Sequence, residues 1–518
     1  MRSLFRFIRQ MGFGFLASFL VVYGSMSWAA SSKENTLSIS SAFEFTSLDP
    51  SKNGYIYTRM QLLETLLDVN SKGQLVPALA SKWKVSEDAK SWRFTLRDKV
   101  HFHDGSLMDA NAVVKSLTIA KQKHGALRKA PIESIQAIDS KTVEVRLTKP
   151  YLLLGAILAH YSNAILAPAS YGKKGDVLAL SGTGPYQLSL YAPPHKLVVE
   201  KNSAYWGKKA SIPYVSYLTG HRAESRVMQA RSGQADIVFG LAPAALPLLK
   251  KLPSLTLYSN SIPRTIALKV NSGHPFLNDV RARQALSLAI NRTGIAKSIL
   301  RIPDSEAEQL LPPSMTDWYL PTISKEPMPL ESAQALLASL GWKKNADGVL
   351  ERDGKTFDLT LITYADRPEL TTVATALQAQ WNAIGVRTKV NVTNSSAIPM
   401  GHQDGSLEVA LMARNYGFIA NPLGVILSDF GANGGDWGAM NWHNKTMSTL
   451  LGSLEHTTDP KKYHQLAQQA AQLIYQQRPM IPVSYYVQQT AVNNRVKGFH
   501  FDPFERSFFL NDLEFKSP

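Results

Sequence analysis

An arginine at the end of an alternating strand is the side chain in this sequence most suited to holding an anion. Leu407, Val409 and Leu411 alternate with other residues in the manner of a half-buried strand, which leads to Arg414. In open α/β sheets, ligands bind beyond the carboxyl ends of strands. The planar guanidinium group presents a fork of donors that matches a carboxylate. The pattern therefore indicates either a carboxylate-binding arginine or an arginine held in a salt bridge at the surface.

The sequence lacks the common patterns that support catalysis. It contains no Gly-x-Ser-x-Gly elbow, no His-Glu-x-x-His and no Gly-x-x-x-x-Gly-Lys-Ser/Thr phosphate loop. It also contains no cysteine, which excludes thiol nucleophiles and thiolate metal sites. His101 and His103 share one face of a strand, but no third metal ligand lies near them, and we interpret the segment as a surface strand. We therefore expect no catalytic residues, no resident metal and no cofactor.

Histidine and aromatic side chains supply further candidates for a ligand pocket. His160 lies in an apolar run over 152–166, where it is either a hydrogen-bonded core histidine or a ligand contact. Aromatic side chains often form the walls of small-molecule pockets. Four of them are candidates for either a ligand wall or ordinary core and hinge packing: Tyr55, Tyr57, Tyr161 and Trp442.

The elements that must position these residues alternate between strands and helices. A strand over 357–362, a helix over 370–384 closed by Gly385, and a strand over 386–392 form a predicted βαβ unit. Such a unit implies a parallel sheet with helices packed on it. The predicted fold class is α/β, with mixed sheets and flanking helices.

The N-terminal region predicts three further elements. Apolar residues over 36–40 indicate a first strand, and those over 55–69 indicate a helix. Alternation around Trp83 and again from Trp92 to Leu96, separated by a polar turn, predicts a β-hairpin.

The first 29 residues have the three parts of a cleavable export signal. Three arginines are followed by a short apolar stretch over 12–25 and by small residues around Ala29. The stretch is too short to span a membrane comfortably, and a chain without cysteine offers no thioether for a lipid. We therefore expect a periplasmic protein that is neither anchored in the membrane nor a lipoprotein.

The chain of 518 residues has room for two to four domains and carries a formal net charge of +16. Such a charge can indicate nucleic-acid binding, but the lysines and arginines are scattered and exported compartments hold little nucleic acid. We interpret the charge as a solvated basic surface.

Ten short segments in register along nearly the whole chain carry a family resemblance. They cover 75–83, 86–88, 91–97, 100–105, 182–186, 202–207, 232–236, 275–292, 333–342 and 478–482. Together they resemble the signature of extracellular solute-binding protein family 5, which serves peptide and nickel ABC importers. The resemblance implies a three-domain type II periplasmic binding protein clamshell whose hinge closes over a ligand between domains I and III. The implied division is a signal over 1–29; domain I from 30–67, 179–272 and 488–518; inserted domain II over 68–178; and domain III over 273–487.

The resemblance also implies a function. The protein would be the periplasmic substrate-binding component of an ABC importer, capturing a short peptide or a nickel or other metal chelate. Its partner would be an inner-membrane permease with cytoplasmic ATPases, and it would act as a monomer that binds no nucleic acid and leaves its ligand unchanged. A peptide-sequestering or chaperone-like protein on the same scaffold and, more remotely, a hydrolase are the alternatives.

At residue level the resemblance adds Asn415 and Tyr416 to the candidate site, because in the family the loop after this strand reaches the cleft. Many peptide-binding members have Asp-Pro where this chain has Asn421 and Pro422. A neutral amide cannot pair with a peptide's amino terminus as a carboxylate does. Nickel-binding members have a histidine next, where this chain has Leu423. The ligand therefore stays open between a peptide and a chelate.

Overall fold

The computed structural model describes residues 33–323, 330–365, 367–417, 419, 421–432 and 434–516. The signal peptide predicted for residues 1–29 lies outside the described residues. The strands are β1 Thr36–Ser41, β2 Leu67–Val69, β3 Leu75–Pro77, β4 Ala80–Val85, β5 Ser91–Leu96, β6 Ile132–Asp139, β7 Thr142–Leu147, β8 Tyr186–Ala192, β9 Lys196–Lys201, β10 Tyr214–Thr219, β11 Ile237–Phe239, β12 Leu255–Val270, β13 Lys343–Lys344, β14 Leu350–Arg352, β15 Lys355–Thr356, β16 Asp358–Tyr364, β17 Arg387–Thr393, β18 Val409–Asn415, β19 Met480–Asn493, β20 Val496–Lys497 and β21 Glu514–Phe515.

Helices flank these strands along the chain. The α-helices are α1 Pro50–Arg59, α2 Ala110–Gln122, α3 Leu154–Leu158, α4 Ala223–Ser232, α5 Leu246–Leu249, α6 Val280–Leu288, α7 Arg292–Gly294, α8 Leu330–Ser339, α9 Pro368–Ala383, α10 Ala397–Gln403, α11 Leu423–Phe430, α12 Lys445–His456 and α13 Pro460–Gln477. Short 3₁₀ turns cover Ala126–Lys129, Tyr161–Asn163, Pro168–Ser170, Pro243–Ala245 and Leu510–Asp512, and a π-helical turn covers Ile295–Leu300. Within the described ranges, no helix has the length and apolar character needed to cross a membrane.

A ten-stranded sheet runs through the molecule in the order β17-β16-β18-β12-β19-β11-β1-β10-β9-β8. Toward one edge β16 is parallel to β17 and β18, and toward the other β1 is parallel to β10 and β11. The long strands β12 and β19, of 16 and 14 residues, lie antiparallel between these groups. Register shifts interrupt their pairing between Ser261 and Thr265 and between Ile266 and Ala267. One mixed sheet therefore carries two groups of parallel strands joined by a single strand pair.

The predicted βαβ unit is confirmed as β16, α9 and β17. The two strands are parallel, with Asp358 beside Arg387 at their start. Helix α9 packs on the sheet through a stripe of fully buried side chains at helical spacing: Leu370, Val373, Ala374, Leu377 and Trp381. The apolar period and the glycine at its end made this unit predictable from the sequence.

The first helix is shorter than the apolar pattern predicts, although the first strand and the β4–β5 hairpin are confirmed. Helix α1 ends at Arg59, and Gln61 adopts a left-handed backbone conformation with φ of 53°. Residues 67–69, which were assigned to the helix, form strand β2 instead. The assignment was wrong because four leucines of this run are all buried, so the run carries no amphipathic period: Leu62, Leu63, Leu66 and Leu67.

A separate four-stranded sheet, in the order β4-β5-β7-β6, lies within the segment 68–178. Its buried face contributes Trp92, Phe94, Val143 and Val145 to the core. This segment is the one that the resemblance assigns to domain II, and the three-domain boundaries stay a prediction.

A buried carboxylate fixes the place where the chain returns from this smaller sheet to the large one. Glu64 accepts hydrogen bonds from three donors: the hydroxyl of Thr183 at 2.7 Å, the hydroxyl of Tyr205 at 2.9 Å and the indole of Trp206 at 3.0 Å. The approach requires Gly184, since a Cβ atom there would lie 2.0 Å from the carbonyl oxygen of Gln61. Burial raises the pKa of Glu64 to about 7, although the three donors oppose the shift.

Replacing Glu64 by glutamine should remove a pH dependence of stability. The folded-state pKa of about 7 lies above the ordinary glutamate pKa of 4.5, so the folded protein binds the extra proton between these pH values. The free energy of unfolding of the wild type, measured relative to Glu64→Gln, should be largest below pH 4.5 and should fall by on the order of 3 kcal/mol as the pH rises through 7.

Urea unfolding of both proteins across this pH range measures the difference. The exposed Glu87 offers a matched control, because Glu87→Gln removes a carboxylate that water already solvates. A difference between wild type and Glu64→Gln that stays constant with pH would contradict the buried environment of Glu64.

Candidate ligand-binding cleft

The ends of parallel strands from both halves of the large sheet meet at a cleft of about 820 Å³. Glu44 follows β1 and His221 follows β10 on one side, while Tyr364 ends β16 and Arg414 and Asn415 end β18 on the other. This position agrees with the rule that ligands bind beyond the carboxyl ends of strands. The volume suits a small-molecule ligand, whose pockets span roughly 300–1,000 Å³.

Arg414 lines the cleft, and Asp429 holds its guanidinium group. Nε donates to Oδ2 of Asp429 at 2.8 Å, and Nη2 donates to Oδ1 at 2.5 Å. The Asp429 side chain on α11 is 1% exposed, whereas that of Arg414 keeps 21% exposure. Nε and Nη2 of Arg414 therefore take part in a salt bridge, as one of the two alternatives predicted. A contact between Arg414 and a ligand stays a prediction.

Lys269 fixes the loop that carries Trp437 into the cleft. The lysine is fully buried on β12, and its Nζ donates to the carbonyls of Gly435 at 2.8 Å and Gly438 at 2.6 Å. Nζ also lies 3.0 Å from Nδ1 of His402. Burial lowers the pKa of Lys269 to about 7. One side chain of the sheet thus holds two backbone carbonyls that flank Trp437.

Tyr55, His160 and Tyr161 line the cleft and contact one another. The rings of Tyr55 and Tyr161 lie 5.8 Å apart, and those of His160 and Tyr161 lie 4.0 Å apart. Nδ1 of His160 lies 2.8 Å from the hydroxyl of Ser162. Burial lowers the pKa of His160 to about 3, so the imidazole is neutral at ordinary pH. The structure brings these three predicted residues together, and their contact with a ligand stays a prediction.

Three predicted site residues are absent from the described lining of the cleft and lie behind its wall, and their contact with a ligand stays a prediction. Tyr57 and Tyr416 are fully buried, and Trp442 is buried as well. The hydroxyl of Tyr57 donates to the carbonyl of Ser47 at 2.5 Å, and Trp442 packs edge-on against Phe430 at 6.0 Å. These side chains support the wall through packing.

Asn415 lies in the wall itself, and its side chain shapes the turn that follows β18. Its Oδ1 accepts a hydrogen bond from the backbone N–H of Gly417 at 2.8 Å. The next residue, Tyr416, donates its backbone N–H to the carbonyl of Pro263 at 2.7 Å. This bond ties the turn to β12. Of the two residues predicted in this loop, Asn415 lines the cleft and Tyr416 does not.

A charged stack on Tyr486 was missed by the sequence reasoning. The guanidinium carbons of Arg264 and Arg367 lie 5.0 and 5.2 Å from the ring centroid of Tyr486. Nη2 of Arg264 donates to Oε2 of Glu505 at 2.8 Å, and Nε of Arg59 donates to the backbone carbonyl of Glu505. Burial favours a raised pKa for Glu505, but the charges of Arg264, Arg59 and Arg367 outweigh it and hold that pKa below its ordinary value.

Arg367 is the cation of this stack that forms no direct ion pair among the described residues, although the charges of Glu369 and Glu505 act on it. Its Nη1 donates to the hydroxyl of Tyr486 at 3.0 Å. Arg264 and Arg414 each pair with a carboxylate, whereas no carboxylate oxygen of the described residues lies within 4.0 Å of the Arg367 guanidinium nitrogens. Arg367 is the N-cap of α9, just beyond the end of β16. The strand-end rule that selected Arg414 would have selected Arg367 as well.

The described lining of the cleft carries six arginines and four carboxylates, the latter from Glu44, Glu369, Asp502 and Glu505. Arginines present N–H donors in the fixed geometry that carboxylates match. Among the residues that the structure describes, no three histidine, aspartate or glutamate side chains are grouped to hold a metal ion.

The fold and the cleft define a type II periplasmic binding protein. NikA from Brucella suis in complex with Fe(III)-EDTA superposes with a TM-score of 0.85 at 21% identity, covering 93% of this chain and 100% of that chain. The oligopeptide-binding protein AppA from Bacillus subtilis, in complex with a nonapeptide, superposes with a TM-score of 0.77 at 19% identity, covering 93% and 99%. The predicted α/β clamshell class is therefore confirmed.

The family model for bacterial extracellular solute-binding proteins, family 5 Middle, matches residues 74–436, and the chain belongs to this family. The dipeptide-binding protein of Escherichia coli (strain K12) is 25% identical over 473 residues, which cover 85% of this chain and 86% of the relative. The glutathione-binding protein GsiB of the same strain is 24% identical over 502 residues, covering 91% and 92%. The resemblance seen in the sequence is confirmed, and these relatives are binding proteins.

Removing Arg414 should destabilise the protein more than removing Arg414 together with Asp429. Arg414→Met leaves a buried carboxylate without its partner, which typically costs about 3–5 kcal/mol of unfolding free energy. The double variant Arg414→Met/Asp429→Leu removes both charges and should recover most of that loss.

Urea unfolding at neutral pH compares the two variants. Arg387→Met serves as the control, because its ion pair with Asp358 is exposed and worth about 1 kcal/mol or less. Equal destabilisation by the single and the double variant would show that Asp429 does not depend on Arg414.

Proposed function

We propose that this protein captures a small carboxylate-bearing solute, either a short peptide or a metal chelate, and delivers it to the permease of an ABC importer. The observation that carries the proposal is Arg367, a cleft cation that hydrogen-bonds the phenol of Tyr486 and forms no direct ion pair among the described residues. Family membership supports solute capture. The relatives named above bind a dipeptide or glutathione, and a structural neighbour holds Fe(III)-EDTA, all of which carry carboxylates.

The position of Asn421 supports recognition through the carboxylate end of the ligand. Its Oδ1 accepts hydrogen bonds from the backbone N–H of Leu423 at 2.9 Å and from the hydroxyl of Tyr463 at 3.0 Å. The amide is therefore used to fix the start of α11. It stands where many peptide-binding members of the family carry an aspartate, and it brings no charge to an ammonium group.

We further propose that the predicted residues in the wall contact the solute together with Arg367. Arg414 and Asn415 would do so from the end of β18, and Tyr55, His160 and Tyr161 from the opposite side of the cleft. The resemblance assigns β18 to domain III. Helix α1 and the 3₁₀ turn Tyr161–Asn163, which carry the side chains on the opposite side, are assigned to domains I and II. A ligand that touches both sides therefore favours the closed form.

The proposed closure uses the three-domain layout implied by the resemblance. The large sheet passes from domain I to domain III through β12 and β19, and the register shifts near Thr265 give this strand pair an irregular segment beside the cleft. We propose that the hinge lies there. Strand-end residues on the two sides would then approach each other without rearranging either group of parallel strands.

The proposed location is the periplasm, reached through the signal peptide over 1–29 and without a lipid anchor, since the chain has no cysteine. The proposed partners are the solute and an inner-membrane permease with cytoplasmic ATPases. In this role the protein acts as a monomer, without nucleic acid, and performs no chemistry on its cargo.

Native mass spectrometry of the freshly purified protein, combined with small-angle scattering, tests this function. We expect a non-covalent adduct that is released intact on unfolding. We also expect a smaller radius of gyration when the released solute is added back. A solute that emerges cleaved, or a particle whose dimensions do not respond to it, would contradict the proposal.

Arg367→Met should weaken binding of a carboxylate ligand and leave binding of its amide little changed. A hydrogen-bonded pair with a charged group contributes about 1.5–3 kcal/mol, which corresponds to a loss of roughly ten- to a hundredfold in affinity. Calorimetry with Ala-Ala-Ala and with its C-terminal amide measures the effect.

The control is Arg387→Met, which removes an exposed arginine that pairs with Asp358 outside the cleft. It should bind both peptides as the wild type does. If Arg367→Met keeps the wild-type preference for the free carboxylate, another group recognises the anion.

A further inference from the structure

We propose that the solute carries an aromatic or large apolar body beside its carboxylate, and that phenylalanines of the C-terminal tail bind this body. The inference deepens the proposed function and rests on it. It names a substrate class, amphipathic carboxylates such as short peptides with an aromatic residue, for the same cleft.

The aromatic content of the cleft is the first observation. Eleven of the described residues that line it are Phe, Tyr or Trp, whereas these types make up 9% of the chain. Four of them lie in one ten-residue segment of the C-terminal tail: Phe499, Phe501, Phe504 and Phe508. Such a density of apolar rings in one short segment favours an apolar ligand surface.

The phenylalanine rings of the tail pack against aromatic side chains of the large sheet. Phe239 at the end of β11 stacks on Phe508 at 4.9 Å and lies 6.3 Å from Phe501 and 6.4 Å from Phe499. Tyr258 on β12 backs Phe499 at 4.8 Å. Phe239 and Phe508 are buried by this packing.

Three of the rings keep surface that packing does not cover. Phe499, Phe501 and Phe504 remain partly exposed, and all three line the cleft. Leaving apolar surface in water has a free-energy cost of roughly 25 cal/mol per Å², so a ligand that covers these rings gains affinity. A ligand that is polar throughout would leave that gain unused.

The apolar wall lies beside the anion site along one continuous set of contacts. Phe504 precedes Glu505, whose carboxylate pairs with Arg264. Arg264 shares the ring of Tyr486 with Arg367. The tail therefore leads directly to the cation that we assign to the carboxylate. The phenylalanine wall and Arg367 line the same cleft.

Calorimetry with two tripeptides of equal length and charge, Ala-Phe-Ala and Ala-Ala-Ala, tests the inference. The wild type should bind Ala-Phe-Ala about tenfold more tightly or better, because the phenyl group is buried against the tail. Phe501→Ala should reduce this ratio toward one, and Phe501→Leu should keep part of it. Phe515→Ala changes a tail ring that packs on Arg495 outside the cleft and should leave the ratio unchanged.

The outcomes separate the inference from the function on which it rests. Equal affinities for the two peptides in the wild type would overturn the inference and leave carboxylate capture standing. Binding of neither peptide would overturn the inference, whereas the proposed function, which also admits a metal chelate, falls only if mass spectrometry and scattering show a cleaved solute or an unresponsive particle. Arg367→Met should weaken both peptides by the same factor and preserve their ratio. A ratio that survives in Phe501→Ala, shown to be folded by its circular dichroism melt, would remove the tail wall from the site.

Discussion

The pairing of β12 with β19 is the constraint on which the rest of the structure depends. Each of these strands borders a different half of the large sheet, since β12 also pairs with β18 and β19 also pairs with β11. The register between β12 and β19 therefore sets how far the two halves of the sheet are displaced from each other along the strand direction. As a result the carboxyl ends of β16 and β18 and those of β1 and β11 open on the same space. The cleft is a consequence of sheet geometry before any of its side chains is considered, and the hinge proposed above lies in the same strand pair.

The groups that pair with the arginines of the cleft bear on the kind of ligand that it can hold. A cation taken out of water without a partner costs several kcal/mol. Arg226 meets this cost with backbone carbonyls, including those of Gly220 and Gly240 at 2.6 Å, while Arg264 and Arg414 meet it with carboxylates. Arg367 hydrogen-bonds the phenol of Tyr486, and Glu369 and Glu505 act on its charge from beyond ion-pair distance. Under the proposed function, a ligand carboxylate would supply the direct ion pair that Arg367 lacks among the described residues.

Local patterns made part of this arrangement predictable. The βαβ unit could be found because α9 has one buried stripe and one polar face, and Arg414 because its strand alternates before it. The end of α1 could not be predicted, because the leucines that follow the helix are all buried and show no helical period. The left-handed turn at Gln61 also has no glycine to mark it. The pairing of Arg414 with Asp429 and the stack of Arg264 on Tyr486 join residues 15 and more than 200 positions apart, and no local period relates them. The sequence therefore predicts that the strand end at Arg414 lies at the cleft, but neither the other strand ends nor the cations that already have partners there.

The C-terminal tail shows how such a cleft can change its ligand without changing its fold. Asp502 accepts hydrogen bonds from the backbone N–H groups of Phe504, Arg506 and Ser507, so one carboxylate shapes the turn that presents Phe504 and Glu505 to the cleft. The tail strands β20 and β21 pair only with each other and add nothing to the ten-stranded sheet. Substitutions on the tail therefore alter the wall of the cleft while the β12–β19 pair stays as it is. Under the proposed function, the tail and the strand ends recognise the ligand and the β12–β19 pair carries closure, so a change in the wall need not alter the proposed hinge.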